Sequence, residues 1–277
     1  MNEHHICKSC GNTFYGPYCN ECGEKVLHQE DRTLRYFLGE LINALTFADT
    51  KLLVTLKSIL LTPGQFSSDW TEGKRRFYMK PISVFFLANF LYFLIPIYNT
   101  FNTNLHIQTH AFQNLHSPLA ERWVDEKIAQ LDISYEEYET AYDAKSSELS
   151  KLLLIALVVF MVIFFWLIHW GGERKLMADH LTVSFELMTF VILFALQVIG
   201  ALIFGLSMVG MAFLNSEMYL SSIMLLVLCY FLFRMERIFY RFNIGRSVIN
   251  SLLCLISFII VLYAYRVLLF FTTFWVL

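Results

Sequence analysis

"LLLIALVVFMVIFFWLIHW", residues 152–170, carries no charge and reaches its first histidine only at His169. A helix rises 1.5 Å per residue, so about 20 apolar residues cross a hydrocarbon core of about 30 Å. The stretch therefore reads as a membrane-spanning helix and sets the fold class, an all-α integral membrane protein. Four further stretches have the same character: 81–98, opening on Pro81 where a missing N–H costs a helix nothing, then 181–206, 215–233 and 248–268. About five spans are expected, in a bundle over 81–277 with a polar outer loop at 99–151.

Composition agrees. The chain is 57% hydrophobic and 16% charged, where a soluble domain carries about 45–50% and about 25%. A net charge of -2 gives no basis for a nucleic-acid partner. The placement of the charges is more informative than their sum, because Lys and Arg gather in short cytoplasmic loops. Sixteen of the twenty-one fall in 1–80, in the 171–179 loop and in the 234–247 loop, four lie in 99–151, and the 207–217 connection has none. The N-terminus is expected inside and the C-terminus outside a bacterial inner membrane. The opening residues lack a secretory signal's basic and apolar regions, so they are expected to stay in the cytoplasm.

That placement governs the reading of "CKSCGNTFYGPYCNECGE" at 7–24. In a reducing compartment a structural disulfide is disfavoured, and Cys7, Cys10, Cys19 and Cys22 form two C-x-x-C knuckles, each followed by a glycine able to take positive φ. Four thiolates are the closed tetrahedral set of structural zinc, so residues 1–30 are expected to be a small four-cysteine zinc ribbon holding Zn2+. The alternatives are a redox dithiol or a mixed site using His4, His5 or His28. So small a module buries little core, so the ion would supply most of its folding free energy. Cys229 and Cys254 fall in the spans and read as core residues.

Residues 31–80 form a cytoplasmic collar. Leu34, Phe37, Leu38, Leu41 and Leu45 recur at helical spacing, as do Leu52, Leu53, Leu56, Ile59 and Leu60, giving two amphipathic helices. Asp49 caps the second and Pro63–Gly64 ends it. Lys74, Arg75, Arg76 and Lys80, interleaved with Trp70, Phe77 and Tyr78, have the make-up of an anchor against anionic headgroups, which makes membrane lipids the first expected partner.

"RTL" at 32–34, Asp49 with Lys51, Thr55–Leu56, Pro63–Gly64, Gly73–Lys74–Arg75, Tyr78 and Pro81, all following the double C-x-x-C-G, resemble a bacterial zinc-ribbon multi-span membrane-protein family of unknown function (domain of unknown function 3667). The resemblance covers residues 7 to about 95 closely and implies an architecture without an activity. "DHLTVSFELMTF" at 179–190 resembles the family's acidic-His pair, but the second histidine that follows six residues later in the family is Glu186 here.

In the third span Asp179, Thr182, Glu186, Thr189, Gln197 and Gly200 fall within about 60° of one direction, a polar face that should turn away from lipid. His169, Asp179, His180 and Glu186 form a possible intramembrane polar site for a proton or a metal; the plainer reading is an interfacial group satisfied by backbone, headgroups or water. Outside, 121–148 holds nine acids against three bases, with a capping box at Ser134 and Glu137 and a stripe of Tyr135, Tyr138 and Tyr142. No hydrolase or nucleotide motif is present. The expected function is that of a non-enzymatic scaffold that recruits a cytoplasmic or membrane protein through its zinc ribbon. The alternative is a small transporter or intramembrane enzyme using His169, His180 and Glu186.

Overall fold

The computed structural model describes residues 4–23, 26, 50–98, 100–109, 116–174 and 176–277. The collar's first amphipathic helix, the cap at Asp49, and His28 and Lys175 lie outside the described residues. The chain divides into two compact units, Met1–Lys51 and Leu52–Leu277.

The first unit contains a hairpin in which β1 (His4–Ile6) pairs antiparallel with β2 (Thr13–Tyr15), His5 opposite Phe14. Its core is small: Cys7, Phe14 and Cys19 are buried, with Val26 against them.

The second unit is helical. Residues 50–61 form α1, with Thr55, Ser58 and Ile59 buried while Leu53 and Leu61 face out. The chain turns at Pro63–Gly64, where Gly64 adopts φ 89°, and a Cβ there would meet the Met235 backbone at 3.0 Å. Glycine meets both demands. Then follow α2 (Gln65–Thr71), α3 (Pro81–Leu94), α4 (Leu105–Thr109), α5 (Ser117–Leu131), α6 (Tyr135–Ile168), α7 (Met177–Met208), α8 (Glu217–Ile238) and α9 (Ile244–Val276).

Among the described residues four helices, α6 to α9, are long and apolar enough to cross a membrane, so the protein has a multi-pass plan. The expected first span is shorter than its hydropathy suggested: α3 has 14 residues, about 21 Å at 1.5 Å per residue. Pro96 is the reason, since it pushes the preceding residue out of the helical region and Ile95 sits at φ -130°. The second span is longer than expected. Ser134 caps α6 by accepting from the Glu137 N–H at 3.2 Å, and the helix runs unbroken for 34 residues. Its first half is too polar for lipid and instead buries Tyr138 and Tyr142 against Leu105, Ala120, Val124 and Phe270, a second core separate from that of the bundle. α7 contains a π-helical stretch at Phe190–Ile199.

Residues 170–174, the 239–243 loop and α2 meet at one end of the bundle, joined by the Glu72 carboxylate. It takes Arg174 at 3.0 Å, Lys74 at 3.6 Å and Arg241. This is the basic end.

Candidate functional sites

In the N-terminal cysteine module the four sulfurs lie within 4.8 Å of one another, with Cys7 to Cys22 at 3.4 Å and Cys10 to Cys19 at 3.6 Å. The two knuckles are built alike. The N–H of Gly11 donates to the Cys7 carbonyl, and that of Gly23 to the Cys19 carbonyl, both at 2.9 Å, with φ of 77° and 76°. A tetrahedral ion with metal–sulfur bonds of about 2.3 Å sets sulfurs about 3.8 Å apart, so the quartet fits one with small adjustment. The backbone N–H of Cys22 leads in lowering the Cys19 thiol to about 6. Such a thiol is a thiolate at neutral pH, the form that ligates a metal.

The collar cations have different fates. Lys74 pairs with Asp69 at 2.9 Å, and Arg75 donates to the Trp70 carbonyl and lies over that indole at 5.3 Å. Arg76 and Lys80 are exposed. Asp69 also accepts from the Tyr78 hydroxyl at 2.8 Å; burial would raise its pKa, but the bonds from Lys74 and Tyr78 outweigh it and hold the carboxyl below the usual range.

The four residues of the expected intramembrane site do not share one task. Glu186 is fully buried and turned to the chain before α3: it accepts from the N–H of Gly64 at 2.7 Å, from the N–H of Ser67 at 3.0 Å, and from the Ser67 hydroxyl. It thus caps α2 from about 120 residues away, supplying the acceptor that Gly64, with no side chain, cannot. Gln197, on the same polar face, donates to the carbonyls of Tyr92 and Ile95 at the end of α3. That face turns inward as expected. Asp179 is half-exposed in the first turn of α7, within electrostatic reach of Arg174.

His169 and His180 do come together at the basic end, with ring centroids 6.1 Å apart. His169 Nδ1 lies 2.7 Å from the Phe165 carbonyl, an acceptor, so this nitrogen carries the hydrogen. Its Nε2 faces Glu236 Oε1 at 2.8 Å. Asn250 donates to the other carboxylate oxygen at 3.2 Å, and the Cys254 thiol approaches Oε1 at 3.6 Å. Tyr240 lies flat on the His169 ring, centroids 3.5 Å apart and 3° from parallel, while its hydroxyl meets His180 Nδ1 at 2.9 Å.

Glu236, Tyr240 and Asn250 were not anticipated, and Cys254, expected as a core residue, is buried and also meets Glu236. Glu236 stands in "RMER", where two arginines give the look of a solvated loop, yet α8 continues to Ile238 and the carboxylate is fully buried. The available signal was the i, i+4 spacing of Asn250 and Cys254, which places both on one face of α9. Arg266 lines an apolar groove of about 650 Å³ beside Tyr98, Val191, Leu196 and Phe258.

Residues 49–93 match a family model described as "Protein of unknown function (DUF3667)". The match covers α1 to α3, including Pro63–Gly64 and the collar cations. No curated protein and no solved structure matches the chain.

Proposed function

We propose that this multi-pass protein lies in a bacterial inner membrane, that α3 and the chain to Phe101 make a fifth, shorter crossing beside α6 to α9 so that the N-terminus is in the cytoplasm and the C-terminus outside, and that a ribbon of its four N-terminal cysteines binds one structural zinc and recruits a protein partner there. One observation carries the reading. The cysteine module leaves Ile6 at 74%, Tyr15 at 57% and Tyr18 at 58% exposure, an apolar and aromatic surface beside a core that, among the described residues, is Cys7, Phe14 and Cys19. Aromatic side chains of this kind anchor protein interfaces, and a module folded by an ion can present them without a large core. The collar anchors the membrane unit: Arg76 and Lys80 meet anionic headgroups, while Lys74 and Arg75 shape the segment through Asp69 and Trp70.

The rival reading, a transporter or intramembrane enzyme on His169, His180 and Glu186, gains from the buried histidine pair. It loses Glu186, whose three donors come from the turn and helix it caps.

The test is a photo-crosslinking residue at position 18 of the full-length protein in native membranes. Recruitment predicts a discrete protein adduct that disappears when Cys7 and Cys10 are changed to Ser. A chain lacking residues 1–30 that restores every phenotype of a deletion strain refutes it. Labelling of residue 2 by an impermeant reagent on intact spheroplasts would refute the orientation, and with it the cytoplasmic partner.

A further inference from the structure

We propose that His169, Glu236 and Cys254 form a second metal site, within the membrane unit, for a divalent transition ion of borderline softness such as Zn2+. The site goes beyond the recruitment reading and stands without it.

The ligand atoms converge. One nitrogen, one carboxylate oxygen and one sulfur lie within 4.8 Å of one another, and no residue of the three is more than 1% exposed. Imidazole, carboxylate and thiolate together suit zinc and its neighbours rather than magnesium or calcium. Glu236 sits in the last turn of α8 and Cys254 in the third turn of α9, and His169 is the residue that caps α6, its backbone N–H donating to the Phe165 carbonyl at 3.1 Å. Ligands on rigid elements hold a site better than ligands on loops.

The supporting bonds are those a metal site requires. A ligating histidine usually donates its other ring N–H to a carbonyl or carboxylate, which fixes the tautomer. Here Nδ1 is held by the Phe165 carbonyl, so Nε2 faces inward. Asn250 holds Glu236 Oε2 and leaves Oε1 on the side of the histidine and the thiol. Tetrahedral ligands at about 2.0–2.3 Å stand about 3.3–3.6 Å apart. The Cys254 to Glu236 separation is already 3.6 Å, and the 2.8 Å between His169 and Glu236 must widen by about 0.5 Å to admit an ion with those bond lengths.

Charge favours the same conclusion. A buried divalent cation needs two anionic ligands to be neutral, and a carboxylate and a thiolate supply two. The proton between His169 Nε2 and Glu236 and the proton of the Cys254 thiol leave as the ion enters. A cavity of about 370 Å³, lined by Trp166, His169, Trp170, Gly171 and Arg174, reaches His169 from the basic end. Arg174 at its mouth is paired with Glu72 at 3.0 Å, which tempers its repulsion of an incoming cation. Three protein ligands leave a fourth position for water, unlike the closed set of the ribbon.

The experiment is metal stoichiometry on full-length protein purified in lipid nanodiscs, with cobalt substitution as a second readout. Wild type should hold two equivalents. Changing all four ribbon cysteines to Ser should leave one, and Cys254→Ser or Glu236→Gln should also leave one. Cobalt in the four-serine chain should show a charge-transfer band of single-thiolate strength that Cys254→Ser abolishes. One equivalent in wild type, lost with the ribbon cysteines and unchanged in Cys254→Ser, overturns the proposal and leaves the ribbon intact. The converse pattern overturns the ribbon alone. Should the four-serine chain fail to fold, wild type against Cys254→Ser decides: a fall from two to one supports the site, and an unchanged count refutes it.

Discussion

Glu186 is the residue at which an architectural and a chemical role give opposite results, and the bonds around it set the size of the effect. Its two oxygens take two backbone N–H groups, at 2.7 and 3.0 Å, and one hydroxyl. In Glu186→Gln the amide oxygen can still accept from Gly64, and the amide nitrogen can donate to the Ser67 hydroxyl, which turns to accept. The Ser67 N–H then faces a donor. A buried donor left unsatisfied costs about 1–3 kcal/mol. Glu186→Ala strands both N–H groups, about 2–6 kcal/mol on the same scale before any cavity is counted. At about 2–4 °C per kcal/mol for a unit of this size, Gln should lower the melting temperature by about 2–12 °C and Ala by about twice that. The assay is fluorescence-detected size exclusion after graded heating, in one lipid and one detergent. Melting temperatures of both variants indistinguishable from wild type would refute the cap, and intact stability with a lost membrane phenotype would return Glu186 to the transporter reading.

Two more expectations rest on neighbouring groups. Gly64→Ala puts a side chain at positive φ, worth about 1–2 kcal/mol, and a carbon 3.0 Å from the Met235 backbone, worth about 1–3 kcal/mol more, so it should melt below Glu186→Gln; wild-type melting would contradict the close approach of α8. Asp69 has a depressed folded pKa, so its contribution is present above the ordinary aspartate value of about 3.9 and is lost as pH falls through the folded value. Asp69→Asn should therefore lower stability at neutral pH and flatten the acid limb of the profile, and a limb that keeps its shape in the variant would show the Lys74–Asp69–Tyr78 cluster to be idle.

The fold was legible where one local signal sufficed. Hydropathy revealed α6 to α9 because a span is a continuous run, and cysteine spacing revealed the four-cysteine cluster because a knuckle closes within four residues. Two boundaries slipped for opposite reasons. The acidic start of α6 breaks the apolar run but not the helix, since "YEEYETAYDAKSSELS" is rich in helix formers and well capped. α3 keeps its apolar run through 98 but loses its helix at Pro96. The buried polar contacts were half legible. His169 and His180 flank a short loop and were bound to lie near each other, whereas Glu236 to Cys254 is a contact between two helices. The bond from Glu186 to Gly64 links positions 122 residues apart, a separation that no periodicity encodes.

The distinction between structural and reactive polar groups follows from what each side chain meets. On α7, Thr182 and Ser184 donate to carbonyls four residues back, Glu186 closes the start of α2, and Gln197 closes the end of α3. Each is matched to a backbone group, as required where water is scarce, so a polar face inside the membrane is here a device for seating α2 and α3. It also makes the family-matched segment 49–93 dependent on residues far beyond it. His169, Glu236 and Cys254 differ in kind, because they face one another: a ring nitrogen and a thiol sulfur converge on the same carboxylate oxygen. Side chains that meet each other rather than the backbone contribute little to helix seating that apolar residues of equal size would not, and a buried ionisable cluster is costly to keep. The proposed metal site therefore draws on α6, α8 and α9, whereas Glu186 and Gln197 on the polar face of α7 seat the helices before them.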